Sequence, residues 1–306
     1  MRTRTYAYIA CVFVVIFYSG NILVGSALNE LPPITVAFFR VAIACVLLLP
    51  LGWRSAWRHR ATFRRHLGPL LLLTLTGVAF FNTFIYGALQ FTTATNVSVL
   101  EAVIPVATAL LSAWLLRERL RPVQWAGVLV SFAGALWVIR GGLADNVTGA
   151  TGGWNVGDLI MVGAILCWAV YSIAVKRYLH LFPAYGAVLV MTALSVFVLG
   201  SLMAVEWVIG GVPDLGQWSY WPGLAYLGIF PSVIALLLYN RAIGVLGPSQ
   251  AAIFLNFLPV FTMLGAYLFL AETITVAQIL GAGLVIVGVL LTTRTARRSR
   301  AARAAP

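Results

Sequence analysis

Apolar residues fill this chain in blocks of about 20, and the polar positions between them gather into short turns rather than recurring at a strand or surface-helix period. A helix rises about 1.5 Å per residue, so a block of that length crosses the roughly 30 Å of a bilayer's hydrocarbon. Such blocks lie at 6–28, 32–52, 68–89, 95–116, 123–140, 156–176, 183–205, 219–240, 249–270 and 274–293, numbered here spans 1 to 10. The pattern predicts an all-α integral membrane protein with ten transmembrane helices.

The blocks also repeat. Residues 88–140 align without a gap on 242–294, placing Pro105 on Pro259, Glu118 on Glu272, Gln124 on Gln278, Gly127 on Gly281, Gly134 on Gly288 and Arg140 on Arg294. Chance similarity between apolar segments rarely keeps such residues in register. The prediction is two five-helix repeats, 1–140 and 156–293, joined by a Gly-rich connector at 141–155 and followed by a basic tail at 294–306. An odd number of crossings turns the second repeat upside down relative to the first. In carriers built this way the site lies between the halves, near the bilayer midplane.

Composition agrees: the chain is 61% hydrophobic and 9% charged, with a mean hydropathy of +0.97, too much apolar surface for one soluble core. A net charge of +12 raises the question of nucleic acid, but the placement of the charges answers it. With ten crossings, every basic residue except Arg40 and Arg140 falls on the face that holds both termini. Glu30, Asp145, Asp158, Glu206, Asp214 and Glu272 fall on the other. The positive-inside rule makes the basic face cytoplasmic. The expected location is the cell inner membrane with both termini cytoplasmic, and the expected partners are the lipid bilayer and a small-molecule substrate, not nucleic acid. Glu118 sits in the arginine-bearing LLRERL turn, whereas Glu272 sits in a turn without basic neighbours, as one unit kept in both orientations requires.

Cys11, Cys45 and Cys167 lie inside apolar blocks and suggest neither a disulfide nor a metal site. Arg2 and Arg4 ahead of an apolar run resemble a secretory signal, but the repeat requires span 1 as the counterpart of span 6, so the span is expected to be retained. Asn146 opens an NVT triplet of the glycosylation type, a pattern common by chance. The Arg54–Arg65 loop and the tail read as cytoplasmic anchors in contact with anionic lipid.

Asn21, Arg40, ALQFTTATNVSVLEAVIP at 88–105, LLRERL at 115–120 and QWAG at 124–127 form an ordered series, echoed by NRAIGVLGPSQAA at 240–252, NFLPV, LAE and QILGAG. Over nearly the whole chain this resembles the EamA-like members of the drug/metabolite transporter superfamily. The resemblance implies a ten-helix carrier of small metabolites, frequently an exporter of amino acids, working without ATP and without a cofactor. Amines, sugar derivatives and nucleotide-like metabolites are also cargoes of such carriers, and the resemblance does not choose among them.

Only Arg40 and Glu101 are ionisable residues well inside spans. A charge at a helix centre costs roughly 2.5–3.5 kcal/mol on insertion scales, so such residues usually face a cavity. Both lie about 10 Å from the acidic face at 1.5 Å per residue, which predicts a shared cavity. There they act either as an ion pair or as clamps for the amine and carboxylate of a zwitterion. The other substrate-binding candidates are Asn21, Tyr86, Trp168, Tyr171, Asn240 and Asn256, with Gln90, Asn96, Ser172 and Tyr239 as further polar groups at depth. Trp168 and Tyr171, spaced i, i+3, share a helix face suited to an aromatic wall. Pro105 and Pro259 are expected to bend spans 4 and 9 as matched hinges. The paired glycines of spans 5 and 10 are expected to support close packing, within a monomer or in a homodimer. An intramembrane enzyme is the main rival, but His59, His66 and His180 fall in loops and Arg40 with Glu101 is an incomplete catalytic set. A channel is the second rival, less suited to an inverted repeat.

Overall fold

The computed structural model describes residues 2–115, 122–139, 155–246 and 254–303, excepting the side chains of 2–4, 240, 243, 244, 246 and 292–303. Glu118 and its turn, the connector with Asn146, and the start of span 9 lie outside the described residues, as does the Asn240 side chain. Among the described residues eight helices are long and apolar enough to cross a bilayer: Thr5–Ala27, Pro33–Arg58, Leu67–Leu89, Ala94–Leu115, Pro122–Ile139, Val156–Leu181, Ala184–Gly210 and Tyr220–Tyr239. The shorter apolar helices Leu258–Phe269 and Val276–Leu291 supply spans 9 and 10. Among the described residues there is no strand.

The two basic segments depart from expectation. Span 2 stays helical through Arg58 and is followed by the short helix Arg60–Arg65, so the stretch is not a loop. Phe63 pins that helix, stacking on Phe182 with ring centroids 5.3 Å apart. The tail is likewise helical through Arg303, a continuation of span 10. Alanine and arginine are strong helix formers, and neither segment holds a breaker inside the continuation.

Repeat-equivalent helices pair: span 2 packs on span 7 and span 5 on span 10. Span 1 lies against spans 8 and 9, and span 6 against spans 3 and 4. Each repeat thus places its first helix in the other half. A Cβ at Gly134 would meet the Gly281 carbonyl at 2.8 Å, and one at Gly288 the Gly127 carbonyl at 2.6 Å. Gly127 corresponds to Gly281 and Gly134 to Gly288, so the repeat maps one contact onto the other with the partners exchanged. Two antiparallel helices related in this way have their two-fold axis in the membrane plane. The glycine surfaces are therefore filled within the chain.

Spans 4 and 9 are discontinuous. Span 4 consists of Ala94–Glu101 and Ile104–Leu115 with a turn at 102–103, and in span 9 a turn at 256–257 precedes Leu258–Phe269. Pro105 offers no N–H to the Glu101 carbonyl, and Pro259 offers none to that of Leu255. The helix therefore unwinds just ahead of each proline. Pro105 and Pro259 do not bend a helix interior but stand in the first turn of a new helix, where a missing N–H is tolerated. Spans 3 and 8, also repeat equivalents, each contain a π-helical segment, Thr74–Phe80 and Phe230–Ile234.

Candidate functional site

A cavity of about 260 Å3 lies between the halves, lined from spans 1, 2, 3, 4, 6, 7, 8 and 9. That is near the lower end of small-molecule pockets, which run from about 300 to 1,000 Å3. Both helix breaks and both π segments border it: Glu101, Ala102, Ile104 and Pro105; Leu255, Asn256 and Leu258; Gly77 and Val78; Pro231 and Ser232. Irregular backbone in a membrane is found where it lines a cavity, because the freed carbonyls and N–H groups need partners there.

Depth follows from position along each helix. The lining residues nearest the acidic face are Asn21, Arg40, Asn82 and Glu101, each about 9–10 Å from its helix end at 1.5 Å per residue. Toward the basic face the lining reaches Val188, only about 6 Å from the start of span 7. The cavity is displaced toward the basic face, with Arg40 and Glu101 at its acidic end.

Arg40 is held by neutral groups. Its Nε donates to Ser232 Oγ at 2.8 Å and its Nη1 to the Tyr86 hydroxyl at 3.2 Å. Tyr86 in turn donates to Asn21 Oδ1 at 2.8 Å. Ser232 donates to the Leu227 carbonyl at 2.7 Å, a group that Pro231 cannot serve. The π segment of span 8 therefore seats the guanidinium as well as widening the helix. Nη2 has no acceptor among the described residues and is not sealed from the cavity. Among the described residues the Glu101 carboxylate has no hydrogen-bond partner, and no ion pair joins it to Arg40. A cation edge and a carboxylate thus face one small chamber separately.

One wall is aromatic. Trp168 lies 4.4 Å from Phe81 and 5.1 Å from Tyr171, centroid to centroid. Tyr171 packs flat against Gly77 in the π segment of span 3, where a Cβ would come within 2.2 Å of the ring. Asn21, Asn82, Asn256, Thr192 and Ser232 add neutral polar groups.

Of the residues singled out from sequence, Arg40, Glu101, Asn21, Trp168, Tyr171, Asn256 and Pro105 line the chamber. Tyr86 is not in the wall. It is buried behind it against Gly25, tying Arg40 to Asn21. Pro259 is set back behind Leu258. Gln90 bonds the Leu31 carbonyl, Asn96 bonds Gln278, Ser172 bonds the Trp168 carbonyl, and Tyr239 packs beside Ala7 and Cys11, all outside the cavity. Tyr18, Phe81, Asn82, Thr192 and Ser232 are among the further lining residues that the sequence reading did not single out. Asn82 and Ser232, polar residues inside apolar blocks, carried a readable signal.

Residues 5–140 and 155–294 each match the EamA-like transporter family. The chain belongs to that family. This EamA-like protein is 26% identical over 261 residues to the uncharacterized transporter YyaM of Bacillus subtilis, covering 84% of this chain and 83% of the relative. It is 28% identical over 307 residues to an uncharacterized transporter of Archaeoglobus fulgidus, covering 96% and 98%. Against a probable terminal-alkyne amino-acid exporter of Streptantibioticus cattleyicolor it is 30% identical over 272 residues, covering 88% and 84%. A crystal structure with 21% identity superposes with a TM-score of 0.62, covering 94% of this chain and 96% of the other, which supports the fold alone. The EamA-like protein is a multi-pass membrane transporter of small molecules and not an enzyme.

Proposed function

We propose that this EamA-like transporter exports amino acids or closely related zwitterionic metabolites across the cell inner membrane by alternating access, with both termini cytoplasmic. The observation that carries the reading is the cavity with a guanidinium edge and a carboxylate at one end, Arg40 and Glu101, neither paired with the other nor, at those atoms, with another described residue. A zwitterion satisfies both: its carboxylate takes the Arg40 Nη2 edge and its ammonium the Glu101 carboxylate. Asn21 and Asn256 serve the remaining polar atoms, and Trp168 with Tyr171 and Phe81 receives an apolar side chain. Tyr86 acts from behind, as a positioning residue for Arg40 and Asn21. The helix breaks at Pro105 and Pro259 are the hinges about which the two repeats, 1–140 and 156–293, exchange conformations. The amino-acid exporter among the relatives supports the cargo class, and the excess of arginine on the basic face supports the orientation.

Counterflow into proteoliposomes preloaded with amino acids, amines or sugars tests this directly. Accelerated exchange of amino acids that Glu101→Gln abolishes is the expected result. Exchange of amines or sugars alone would overturn the zwitterion reading, and unitary currents in a bilayer recording would overturn the carrier.

A further inference from the structure

Two carboxylates on the acidic face perform the same task for two different helices. Glu206, near the end of span 7, accepts from the Ile34 N–H at 3.1 Å, the Thr35 N–H at 2.9 Å and the Thr35 hydroxyl at 2.8 Å. Glu272, in the turn between spans 9 and 10, accepts from the Ala94 N–H at 2.9 Å, the Thr95 N–H at 3.3 Å and the Thr95 hydroxyl at 2.8 Å. Each satisfies N–H groups that the first turn of a helix leaves unpaired, where the helix dipole favours a negative charge. In both cases the carboxylate comes from the second repeat and the helix from the first.

The capped helices are the two that carry the ionisable cavity residues. Thr35 precedes Arg40 and Thr95 precedes Glu101 by about a turn and a half each. Further polar contacts join the repeats around the same caps. Trp207 Nε1 donates to the Thr35 hydroxyl at 2.9 Å, Gln278 Nε2 to Asn96 Oδ1 at 3.0 Å, and the Tyr220 hydroxyl to Glu30 at 2.8 Å. At the basic face, among the described residues, Phe63 stacks on Phe182 and Gly52 packs against Leu189. On the acidic side the repeats are thus joined by hydrogen bonds that water can replace. Such bonds carry only a modest net free energy, more where one partner is charged, which suits contacts that must hold and yet break and reform.

We propose that Glu206 and Glu272 are paired gate residues for transport, latching spans 2 and 4 over the acidic end of the cavity and releasing them when the cavity opens to that side. They act through the helices that carry Arg40 and Glu101 and touch no cargo, so they are positioning residues. The proposal rests on the alternating-access reading above.

The test uses a reporter thiol, Ala102→Cys beside Glu101 in the cavity wall, in a chain with Cys11, Cys45 and Cys167 replaced by alanine. A membrane-impermeant thiol reagent is applied to the acidic face of sealed, oriented vesicles, and to the basic face in a parallel set. Glu272→Gln and Glu206→Gln are each expected to raise acidic-face labelling about tenfold, as loss of a charge-assisted contact implies, and to lower basic-face labelling. Thr95→Val, which keeps the shape and removes the hydroxyl donor to Glu272, and Thr35→Val, which also removes the acceptor of Trp207 Nε1, are each expected to raise it about threefold. Unchanged acidic-face labelling in all four variants overturns the latch, as does labelling that rises equally from both faces, which is general loosening. In the unmutated reporter chain, addition of a transported amino acid shifts labelling between faces if access alternates. Absence of that shift overturns alternating access and the gate with it, whereas a shift retained beside inert latch variants overturns the gate alone.

Discussion

Gly134→Ala probes the seam on which the two repeats meet. The added Cβ would lie 2.8 Å from the Gly281 carbonyl oxygen, from Leu284 Cβ and from the Val285 nitrogen. Two of these atoms are backbone, held by span 10's own helical bonds, so none can rotate aside. Ordinary contact begins near 3.4 Å, and the helices must part by roughly half an ångström or more along a seam filled on both sides. Overpacking of a filled contact costs about 1–3 kcal/mol. The matched control is Gly283→Ala on the same span 10, where a Cβ would meet nothing within 4 Å. Both substitutions gain the same helix propensity, up to about 1 kcal/mol, which cancels between them. Unfolding by SDS titration in mixed micelles, read by tryptophan fluorescence, therefore separates the two variants by the overpacking cost, about 1–3 kcal/mol. Equal midpoints for Gly134→Ala and Gly283→Ala would refute the seam and with it the two-fold arrangement of spans 5 and 10.

Tyr86→Phe removes the acceptor of Arg40 Nη1 and the donor to Asn21; counterflow KM is expected to rise about tenfold while the unfolding midpoint moves little. Trp168→Ala removes the ring between Phe81 and Tyr171, so competition assays are expected to show a larger loss of affinity for amino acids with large apolar side chains than for glycine. Phe63→Ala empties a position 5% exposed and stacked on Phe182; a loss of about 3–5 kcal/mol in SDS unfolding is expected, with counterflow KM unchanged.

The helices were legible because hydropathy reports a bilayer span directly, and the inverted repeat because Pro105, Gly127 and Gly134 kept their register with Pro259, Gly281 and Gly288. Arg40 and Glu101 stood out because a charge is rare at that depth. What hydropathy does not encode is which way a polar group in an apolar block points. Tyr86 therefore looked like a wall residue although its hydroxyl bridges Arg40 and Asn21 from behind. Gln90 and Asn96 likewise looked like site residues but bond the Leu31 carbonyl and the Gln278 amide. The π segments left no trace in the sequence beyond Pro231, because a one-residue change in hydrogen-bond register alters no composition. Glu206 and Glu272 read as loop acids, since capping a helix distant in sequence is settled only by the fold. The helical run from Arg54 to Arg65 was hidden by its charge, which marks a membrane boundary but not the end of a helix.

In the proposed mechanism Arg40 and Glu101 bind cargo as two separate clamps. The most direct measurement is amino-acid counterflow by Arg40→Glu, Glu101→Arg and the charge-swapped double variant in proteoliposomes. Ser232 and Tyr86 are arranged as acceptors for a guanidinium at position 40 and not at position 101, so all three variants are expected to be inactive. Recovery of exchange in the double variant would make the two residues a structural pair and contradict the account.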